Sequence, residues 1–151
     1  MPGINLFMDS SALFAGVVSS TGAARALLLL AECDQISLTI SEQVVAETER
    51  AIARKIAQAL PDLRQAIKAS RARIRRDPTP AQVKAHLHLI SHPADVPILL
   101  AAMQAKVDYL VTLNRAHFID DPTIARRSGL RIGLPGEALK WVRARLVSQE
   151  K

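Results

Sequence analysis

Short apolar runs alternate along this chain with longer segments in which apolar positions recur every three or four residues. Four runs predict buried strands, at 4–8, 36–40 and 109–113, with a shorter one at 130–132. The segment 23–32 predicts a helix, because Ala, Leu and Arg dominate it and neither Gly nor Pro interrupts it. The chain therefore opens with strand, helix, strand, as a parallel α/β arrangement does.

Capping residues and apolar spacing predict the remaining helices. Ser41 would cap the helix after the second strand, and Asp95 would open another. A short helix is predicted near 81–90, and an amphipathic helix begins at Pro135. This alternation predicts a three-layer α/β/α fold, in which a parallel sheet of four to five strands carries helices on both faces. Because the chain contains no repeat or linker, residues 1–151 are expected to form a single domain.

A stripe of basic residues is predicted on the helix that restarts at Pro61. Between positions 63 and 74, apolar and small residues are spaced by four, three and four, which places them on one side of a helix. A charged stripe of this kind is most often a helix face exposed to solvent, and the alternative is that it contacts a polyanion. The basic residues at the same spacing are Arg64, Lys68, Arg71 and Arg75.

Charge and aromatic content narrow the classes of partner. The net charge of +6 and pI of about 10.1 fit a protein that handles polyanions, although solubility is an equally simple explanation. Aromatic residues make up only 3%, which argues against a single-strand binder that works by stacking bases. A hydrophobic fraction of 49% argues against disorder.

The expected compartment is a reducing cytoplasm, because Cys33 is the only cysteine and can form neither an internal disulfide nor a cysteine-based zinc site. Residues 1–8 have no basic n-region and meet Asp9 too early for a signal peptide. The apolar run 23–31 is interrupted by Arg25 and is too short to span a bilayer. No membrane partner is therefore expected.

Four polar side chains that border apolar runs carry the candidate chemistry, namely Asp9, Glu47, Asp95 and Asn114. Because the carboxyl ends of parallel strands gather at one edge of a sheet, residues this far apart in sequence can meet there. Three carboxylates and an amide in one pocket would form an oxygen-rich site suited to Mg²⁺ or Mn²⁺.

Each of these residues also has a simpler structural explanation. Asp9 could be the N-cap of the next helix, although Ser10 and Ser11 could cap that turn themselves and leave Asp9 freer to bind metal. Glu47 could be a solvated helix residue, and Asp95 could be a carboxylate favoured by a helix dipole. Asn114 could be a turn former. Thr112 could orient a carboxylate by hydrogen bonding.

Other ligand and nucleotide motifs are not evident. The chain has four histidines, but His86 and His88 are two positions apart and so point from different faces of a helix. No cysteine or closely spaced histidine completes a tetrahedral zinc set. Neither G-x-x-x-x-G-K-[ST] nor G-x-G-x-x-G occurs, so a nucleotide-fuelled machine is not expected.

Several segments share their order and spacing with a known family. A strand followed by Asp9-Ser10-Ser11-Ala12-Leu13 looks like a strand-Asp-Ser/Thr-x-x-Leu start. Residues 41–47 are similar to a Ser-x-x-(apolar)-(apolar)-x-Glu helix, and residues 95–102 to an Asp-x-x-(apolar)-(apolar)-x-Ala helix. Residues 108–114 look like a late strand with a Thr-x-Asp/Asn turn, and 132–139 like a closing strand and helix. Together they resemble the PIN-domain family of metal-dependent ribonucleases, which includes the VapC-like toxins of prokaryotic toxin–antitoxin pairs.

The resemblance implies hydrolysis of an RNA phosphodiester by water activated by Mg²⁺ or Mn²⁺. Asp9 and Asp95 would be the main ligands, Glu47 would bind metal or position the water, and Asn114 would complete or orient the shell. The residues expected to support these ligands are Ser10, Ser11 and Thr112. The candidates for RNA contact are Arg64, Lys68, Arg71, Arg75 and Arg115.

The same resemblance implies RNA, an antitoxin protein and a second copy of the chain in a homodimer as partners. The chain departs from the family pattern at two positions, since many members carry Asp where it has Asn114 and Asp just before the Phe, where it has His117. Both changes lower the negative charge of the site. The alternative function is therefore a non-catalytic PIN-like module that binds nucleic acid or protein, and a test for metal-dependent nuclease activity separates the two.

Overall fold

The computed structural model describes residues 3–149 of the chain. Its strands are β1 Asn5–Met8, β2 Ser37–Ser41, β3 Arg73–Arg75, β4 Tyr109–Val111 and β5 Arg131–Gly133. Its α-helices are α1 Ser10–Val18, α2 Ala23–Glu32, α3 Glu42–Lys55, α4 Leu60–Ala69, α5 Pro80–Ala85, α6 Val96–Gln104, α7 Pro122–Ser128 and α8 Pro135–Gln149. Short 3₁₀ turns and a π-helical turn, Arg115–Ile119, lie between them.

The sheet is parallel throughout, with strand order β3-β2-β1-β4-β5. Phe7 in the central strand β1 lies opposite Thr39 of β2 on one side and Leu110 of β4 on the other. On one face α1 packs against α2 and α3, and on the other α6 packs against α5 and α7. The expected three-layer α/β/α fold is confirmed, with five strands in the sheet.

The core is aliphatic and is centred on β1. Leu6, Phe7 and Met8 are each at most 1% exposed, because helices cover the sheet on both faces. This burial explains why residues 4–8 read as a continuous apolar run instead of an alternating one. The strand ends at Met8, and the next residue, Asp9, is the first charged residue of the chain and is also buried.

Several predicted elements have the expected bounds. The predicted helix 23–32 is α2, and Pro135 is the first residue of α8. Ser41 caps α3, since its hydroxyl accepts a hydrogen bond from the Val44 N–H at 3.3 Å. The predicted helix at 81–90 is split between α5 and a 3₁₀ turn, and α7 was not expected from the sequence.

The prediction of one continuous basic helix after Pro61 is wrong. α4 ends at Ala69, and the backbone of Arg71 has φ 53°, a left-handed conformation that stops the helix. The chain then re-enters the sheet as β3, whose Arg75 lies opposite Ser41 of β2. Arg64 and Lys68 are therefore the only members of the predicted stripe that share a helix.

The other two members of the stripe lie at opposite ends of β3. Arg71 precedes this strand and forms an ion pair with Asp34, which precedes β2, at 3.0 Å. Both residues therefore belong to the amino edge of the sheet. Arg75 is the last residue of β3 and lies at the carboxyl edge, where the ends of the neighbouring strands also gather.

Among residues 3–149, no single helix combines the length and apolarity needed to cross a membrane. Only α1 and α2 taken together, which are bent by 85° relative to each other, pass that test by length and composition.

The close packing of α1 on α2 predicts a large effect at Gly16. A Cβ there would lie 2.7 Å from Leu28 Cδ1 and 3.2 Å from the Ala24 carbonyl oxygen. We expect Gly16→Ala to cost about 1–3 kcal/mol of stability by overpacking, which thermal unfolding would show as a Tm lower by several degrees. Gly136→Ala is the matched control, because no atom of the protein lies within 4 Å of a Cβ at that position. Equal Tm values for the two variants would contradict this account of the interface.

Candidate active site

The carboxyl ends of β1 and β4 meet where the strand order reverses. From β1 the chain crosses to β2 on one side, whereas β4 lies on the other side of β1. The Asp9 N–H extends the β1–β4 ladder by donating to the Val111 carbonyl at 3.1 Å. In open α/β sheets ligands bind outside this switch point, so the residues that follow β1 and β4 are placed to meet one.

Asp9 is buried at this point and uses both carboxylate oxygens. Its Oδ1 accepts from the Ser11 hydroxyl at 2.7 Å and from the Ala12 N–H at 2.9 Å, and its Oδ2 accepts from the Thr112 hydroxyl. Asp9 is therefore the N-cap of α1, and the expectation that Ser10 and Ser11 would cap this turn in its place is wrong. The serines instead bond to the acidic side chains.

The pKa of Asp9 is raised above its ordinary value of 3.8, chiefly because burial penalises the charged form. The hydrogen bonds from Thr112, Ser11 and Ala12 favour the carboxylate and lower the pKa, while the negative charge of Asp95 raises it. The two acids are thus close enough to repel. A cation that binds both would offset the burial and the repulsion together.

Glu47 lies on α3 and faces the same pocket. It is partly buried, and its Oε1 accepts from the Ser10 hydroxyl at 3.0 Å while its Oε2 accepts from the Gln43 amide at 3.1 Å. The same Gln43 amide donates to the carbonyl of Ala94 at 3.0 Å. These contacts hold Glu47 between the first turn of α1 and the residue before Asp95, so it is not an ordinary solvated helix residue.

Asp95 precedes α6 but makes no side-chain capping bond to it. Its Oδ2 instead contacts His117 Nδ1 at 2.6 Å, and its side chain is only 16% exposed. Within residues 3–149 the other oxygen, Oδ1, has no hydrogen-bond partner, which leaves it available to a ligand. The dipole of α6 favours a negative charge at this position.

Asn114 follows β4 and begins the π-helical turn that carries His117. Its side-chain Oδ1 accepts from the His117 N–H at 3.2 Å, and its own N–H donates to the Thr112 hydroxyl at 3.0 Å. Asn114 is thus a turn former, as its simpler structural explanation predicts. The amide oxygen keeps a second lone pair, which a metal ion could still use.

The candidate residues are connected by a nearly continuous ring of hydrogen bonds around the pocket. From Asp9 the ring passes through Thr112, Asn114 and His117 to Asp95. It returns through Ala94, Gln43 and Glu47 to Ser10, the neighbour of Asp9 in the chain. The structure therefore links the polar residues that border the apolar runs through one set of contacts, although Asp9, Glu47 and Asp95 do not each bring a carboxylate oxygen within 4.8 Å of the other two.

Of the predicted supporting residues, Ser10 bonds to Glu47, and Ser11 and Thr112 bond to Asp9. Ser11 also accepts from the Leu113 N–H at 2.9 Å, which fastens α1 to the end of β4. These hydroxyls fix the orientation of the carboxylates, as the surroundings of metal ligands commonly do.

The basic candidates are divided among three regions. Arg115 and Arg75 are exposed and lie at the carboxyl edge, in the turn after Asn114 and at the end of β3. Arg64 and Lys68 are exposed on α4, and Arg71 lies at the opposite edge in its pair with Asp34. The prediction that they form one stripe is corrected accordingly.

A groove of about 290 Å³ opens beside Glu47. It is lined by α1, α3 and the end of β4, and includes Phe14, Lys55 and Leu113. Lys55 Nζ lies 5.4 Å from the centre of the Phe14 ring, so the groove combines a positive charge with an apolar wall. Sequence spacing did not single out Lys55.

Sequence reasoning missed Gln43, and it set the histidines aside as metal ligands although it placed His117 near the site as a departure from the family pattern. Gln43 lies one helical turn before Glu47, and that spacing could have indicated it. The histidines come close only because two irregular segments, the 3₁₀ turn Pro93–Asp95 and the π-helical turn, bring them to Asp95. No periodic pattern in the sequence encodes that contact.

The side chains of this set have the ligand chemistry of a hard divalent ion, although the three acids are not within 4.8 Å of one another as a group. Asp9 and Asp95 supply carboxylates, Glu47 lies at the edge and Asn114 offers an amide oxygen, which are ligands that Mg²⁺ and Mn²⁺ accept. The raised pKa of Asp9 is the observation that supports a bound cation, since a buried, mutually repelling pair of acids is stabilised by positive charge.

The sequence model of the PIN domain matches residues 5–116, which is most of the chain. This chain belongs to the PIN-domain family. PIN domains are generally nucleases, and the matched residues include every member of the acidic pocket of this PIN domain. No curated sequence is similar enough to the chain to count as a match.

Two solved structures have the same fold as this PIN domain. PAE2754 from Pyrobaculum aerophilum is 17% identical, with a TM-score of 0.63 over 93% of this chain and 90% of that one. VapBC2 from Rickettsia felis, bound to a DNA fragment from the promoter, is 18% identical, with a TM-score of 0.61 over 87% of this chain and 98% of that one. At this identity the likeness shows the fold alone.

The raised pKa of Asp9 predicts how stability changes with pH. The unfolded chain binds this proton less tightly than the folded protein, so folding is favoured below about pH 3.8 and loses stability as the pH rises through the raised pKa. In buffer with chelator, we expect Asp9→Asn to lack this loss. Urea unfolding of both proteins from pH 4 to 7 measures it, because the two proteins differ only in the Asp9 carboxyl group and in its repulsion of Asp95. If the free energies of unfolding of the two proteins change with pH in parallel, the burial of the Asp9 charge has no cost.

Proposed function

We propose that this protein is a Mg²⁺- or Mn²⁺-dependent endoribonuclease. The single observation that carries the proposal is Asp9, a buried acid within the electrostatic reach of Asp95 at the switch point of a PIN domain. Burial of repelling carboxylates is costly for a purely structural site and is expected where a cation binds. The net charge of +6 supports a polyanionic substrate.

Each acidic residue has a distinct task in the proposed reaction. Asp9 and Asp95 would hold the ion, and three hydrogen-bond donors fix the orientation of Asp9 for that role. Glu47, held by Ser10 and Gln43, would bind the ion or orient the attacking water. A bound Mg²⁺ or Mn²⁺ would lower the pKa of water and offset charge on the phosphate. Asn114 completes the pocket with a neutral oxygen.

Exposed cations near the pocket are proposed to bind the RNA backbone. Arg75 and Arg115 lie at the same edge of the sheet as the acids, and Lys55 lines the groove beside Glu47. Arg64 and Lys68 are a second, more distant pair on α4. Arg71 is the weakest candidate, because it lies at the opposite edge and is paired with Asp34.

We further propose that the nuclease is the toxin of a toxin–antitoxin pair in the cytoplasm. The family resemblance of the motifs supports this assignment, and the chain shares its fold with VapBC2. The proposed partners are an antitoxin protein, encoded by a neighbouring reading frame, and a second copy of the chain. Co-expression with that neighbour should yield a complex that elutes as one species and has lower nuclease activity.

One observation favours the second candidate, a non-catalytic binding module. His117 occupies Asp95 Oδ2, and Asn114 and His117 both replace acids that many family members carry. If these contacts weaken the metal site enough, the fold would retain nucleic-acid or protein binding without cleavage. Cleavage assays on the unmodified protein decide between the two functions.

Metal-dependent cleavage is the first prediction of the nuclease assignment. With Mg²⁺ or Mn²⁺ the protein should open a circular single-stranded RNA, which has no ends for an exonuclease, and excess chelator should stop it. Asp9→Asn should lower the rate by roughly 10²-fold or more, the scale of losing one group that stabilises transition-state charge. Asp108→Asn is the matched control, since Asp108 is exposed and bonds the Asn5 N–H at 2.8 Å. Cleavage that survives both chelator and Asp9→Asn would refute the mechanism.

The salt dependence of RNA binding tests the proposed contacts. Each phosphate contact on a single strand contributes about 0.7 to the slope of log affinity against log salt. Arg75→Ala with Arg115→Ala should therefore flatten the slope by about 1.4 and weaken binding. Arg71→Ala is the control and should change neither quantity appreciably, because this side chain lies at the far edge. An unchanged slope in the double variant would return both arginines to the status of solvated residues.

A further inference from the structure

Two histidines and an aspartate form a cluster at the rim of the acidic pocket. His117 Nδ1 lies 2.6 Å from Asp95 Oδ2, and the rings of His92 and His117 are stacked with their centres 3.4 Å apart. One ligand atom from each of the three side chains lies within 4.8 Å of the others. Among the described residues, this is the only such group of three or more His, Cys, Asp or Glu side chains.

The ligand types in this cluster differ from those of the acidic pocket. Imidazole nitrogen suits Zn²⁺, Co²⁺ and similar transition ions, whereas Mg²⁺ takes oxygen ligands almost exclusively. Two imidazoles and one carboxylate are a common zinc ligand set, with the fourth position left to water or substrate. We infer that His92, Asp95 and His117 form a transition-metal site that binds Zn²⁺ or Co²⁺ in preference to Mg²⁺.

The stacked arrangement is the closed form of this site. The ring planes are only 14° apart and their centres 3.4 Å apart, so the lone pairs of the two imidazoles lie in separate, nearly parallel planes and do not converge on one ion. His92 is exposed, and its ring has no hydrogen bond within residues 3–149. It can therefore turn out of the stack at little cost, while His117 stays in place against Asp95. Metal binding then replaces the stack by coordination.

The transition-metal site shares Asp95 with the proposed Mg²⁺ pocket but does not depend on nuclease activity. Asp95 has two oxygens, of which His117 engages Oδ2 and Oδ1 is free within the described residues. Asp9 belongs to the acidic pocket alone, since it is absent from the histidine cluster. Variants at Asp9 and at the histidines therefore separate the two sites.

Metal binding to untagged protein tests the inference directly. Titration with Co²⁺ should produce visible d–d absorption, and calorimetry with Zn²⁺ should give one ion per chain. His92→Ala and His117→Ala should each weaken Zn²⁺ binding at least about tenfold, the lower end of what outer-shell changes alone cost. The double variant His86→Ala/His88→Ala is the matched control, because these stacked rings, of which His86 is half-buried and His88 exposed, belong to no such cluster among the described residues. That control should bind Zn²⁺ as the parent does.

Two further variants give the inference a sharper outcome. Asp9→Asn should keep the Co²⁺ spectrum even where it abolishes RNA cleavage, and His117→Asp should lose the preference for Zn²⁺ over Mg²⁺. A parent protein that binds Zn²⁺ through this cluster but cleaves no RNA would support the site and reject the nuclease proposal. Equal Zn²⁺ affinity in the parent, His92→Ala and His117→Ala proteins would overturn the inference. So would a loss in the control as large as the loss in these variants.

Discussion

Burial of the Asp9 carboxylate at the end of the central strand is the constraint on which the rest of the site depends. An ionised acid in the interior requires compensation, and three hydrogen-bond donors from α1 and the end of β4 supply part of it. The remaining cost is visible as the raised pKa of Asp9, to which Asp95 adds. We attribute this residual cost to function, because a cation bound beside Asp9 would offset it.

The same constraint explains how distant parts of the chain are held together. Thr112 joins β4 to Asp9, Ser10 joins α1 to Glu47 on α3, and Gln43 joins α3 to the turn before α6. Thr112 and Asp9 meet because β4 lies beside β1, where the strand order reverses, whereas α1 and α3 pack together on one face of the sheet. The ring of hydrogen bonds is thus both a structural fastening at the open end of the sheet and the wall of the candidate active site.

The polar residues at the ends of the strands could be predicted from the sequence, whereas the positions set by irregular backbone turns could not. Asp9 follows a continuous apolar run, so its place at the carboxyl edge followed from the pattern alone. Arg75 was misplaced because the spacing of α4 continues by chance into β3, an exposed edge strand of three residues that is too short to show its own period. The left-handed backbone of Arg71 ends the helix, and no Gly or Pro marks that point. His117 reaches Asp95 through a π-helical turn, which has no sequence period.

The central claim is that Asp9 and Asp95 hold a divalent ion at the switch point of this PIN domain. A crystal structure grown with Mn²⁺, with anomalous diffraction data collected near the Mn absorption edge, tests that claim most directly. The account predicts an anomalous peak in contact with carboxylate oxygens of both Asp9 and Asp95, absent from crystals of Asp9→Asn protein. Fully ordered side chains with no peak beside Asp9, or a peak that persists there in the Asp9→Asn protein, would contradict it.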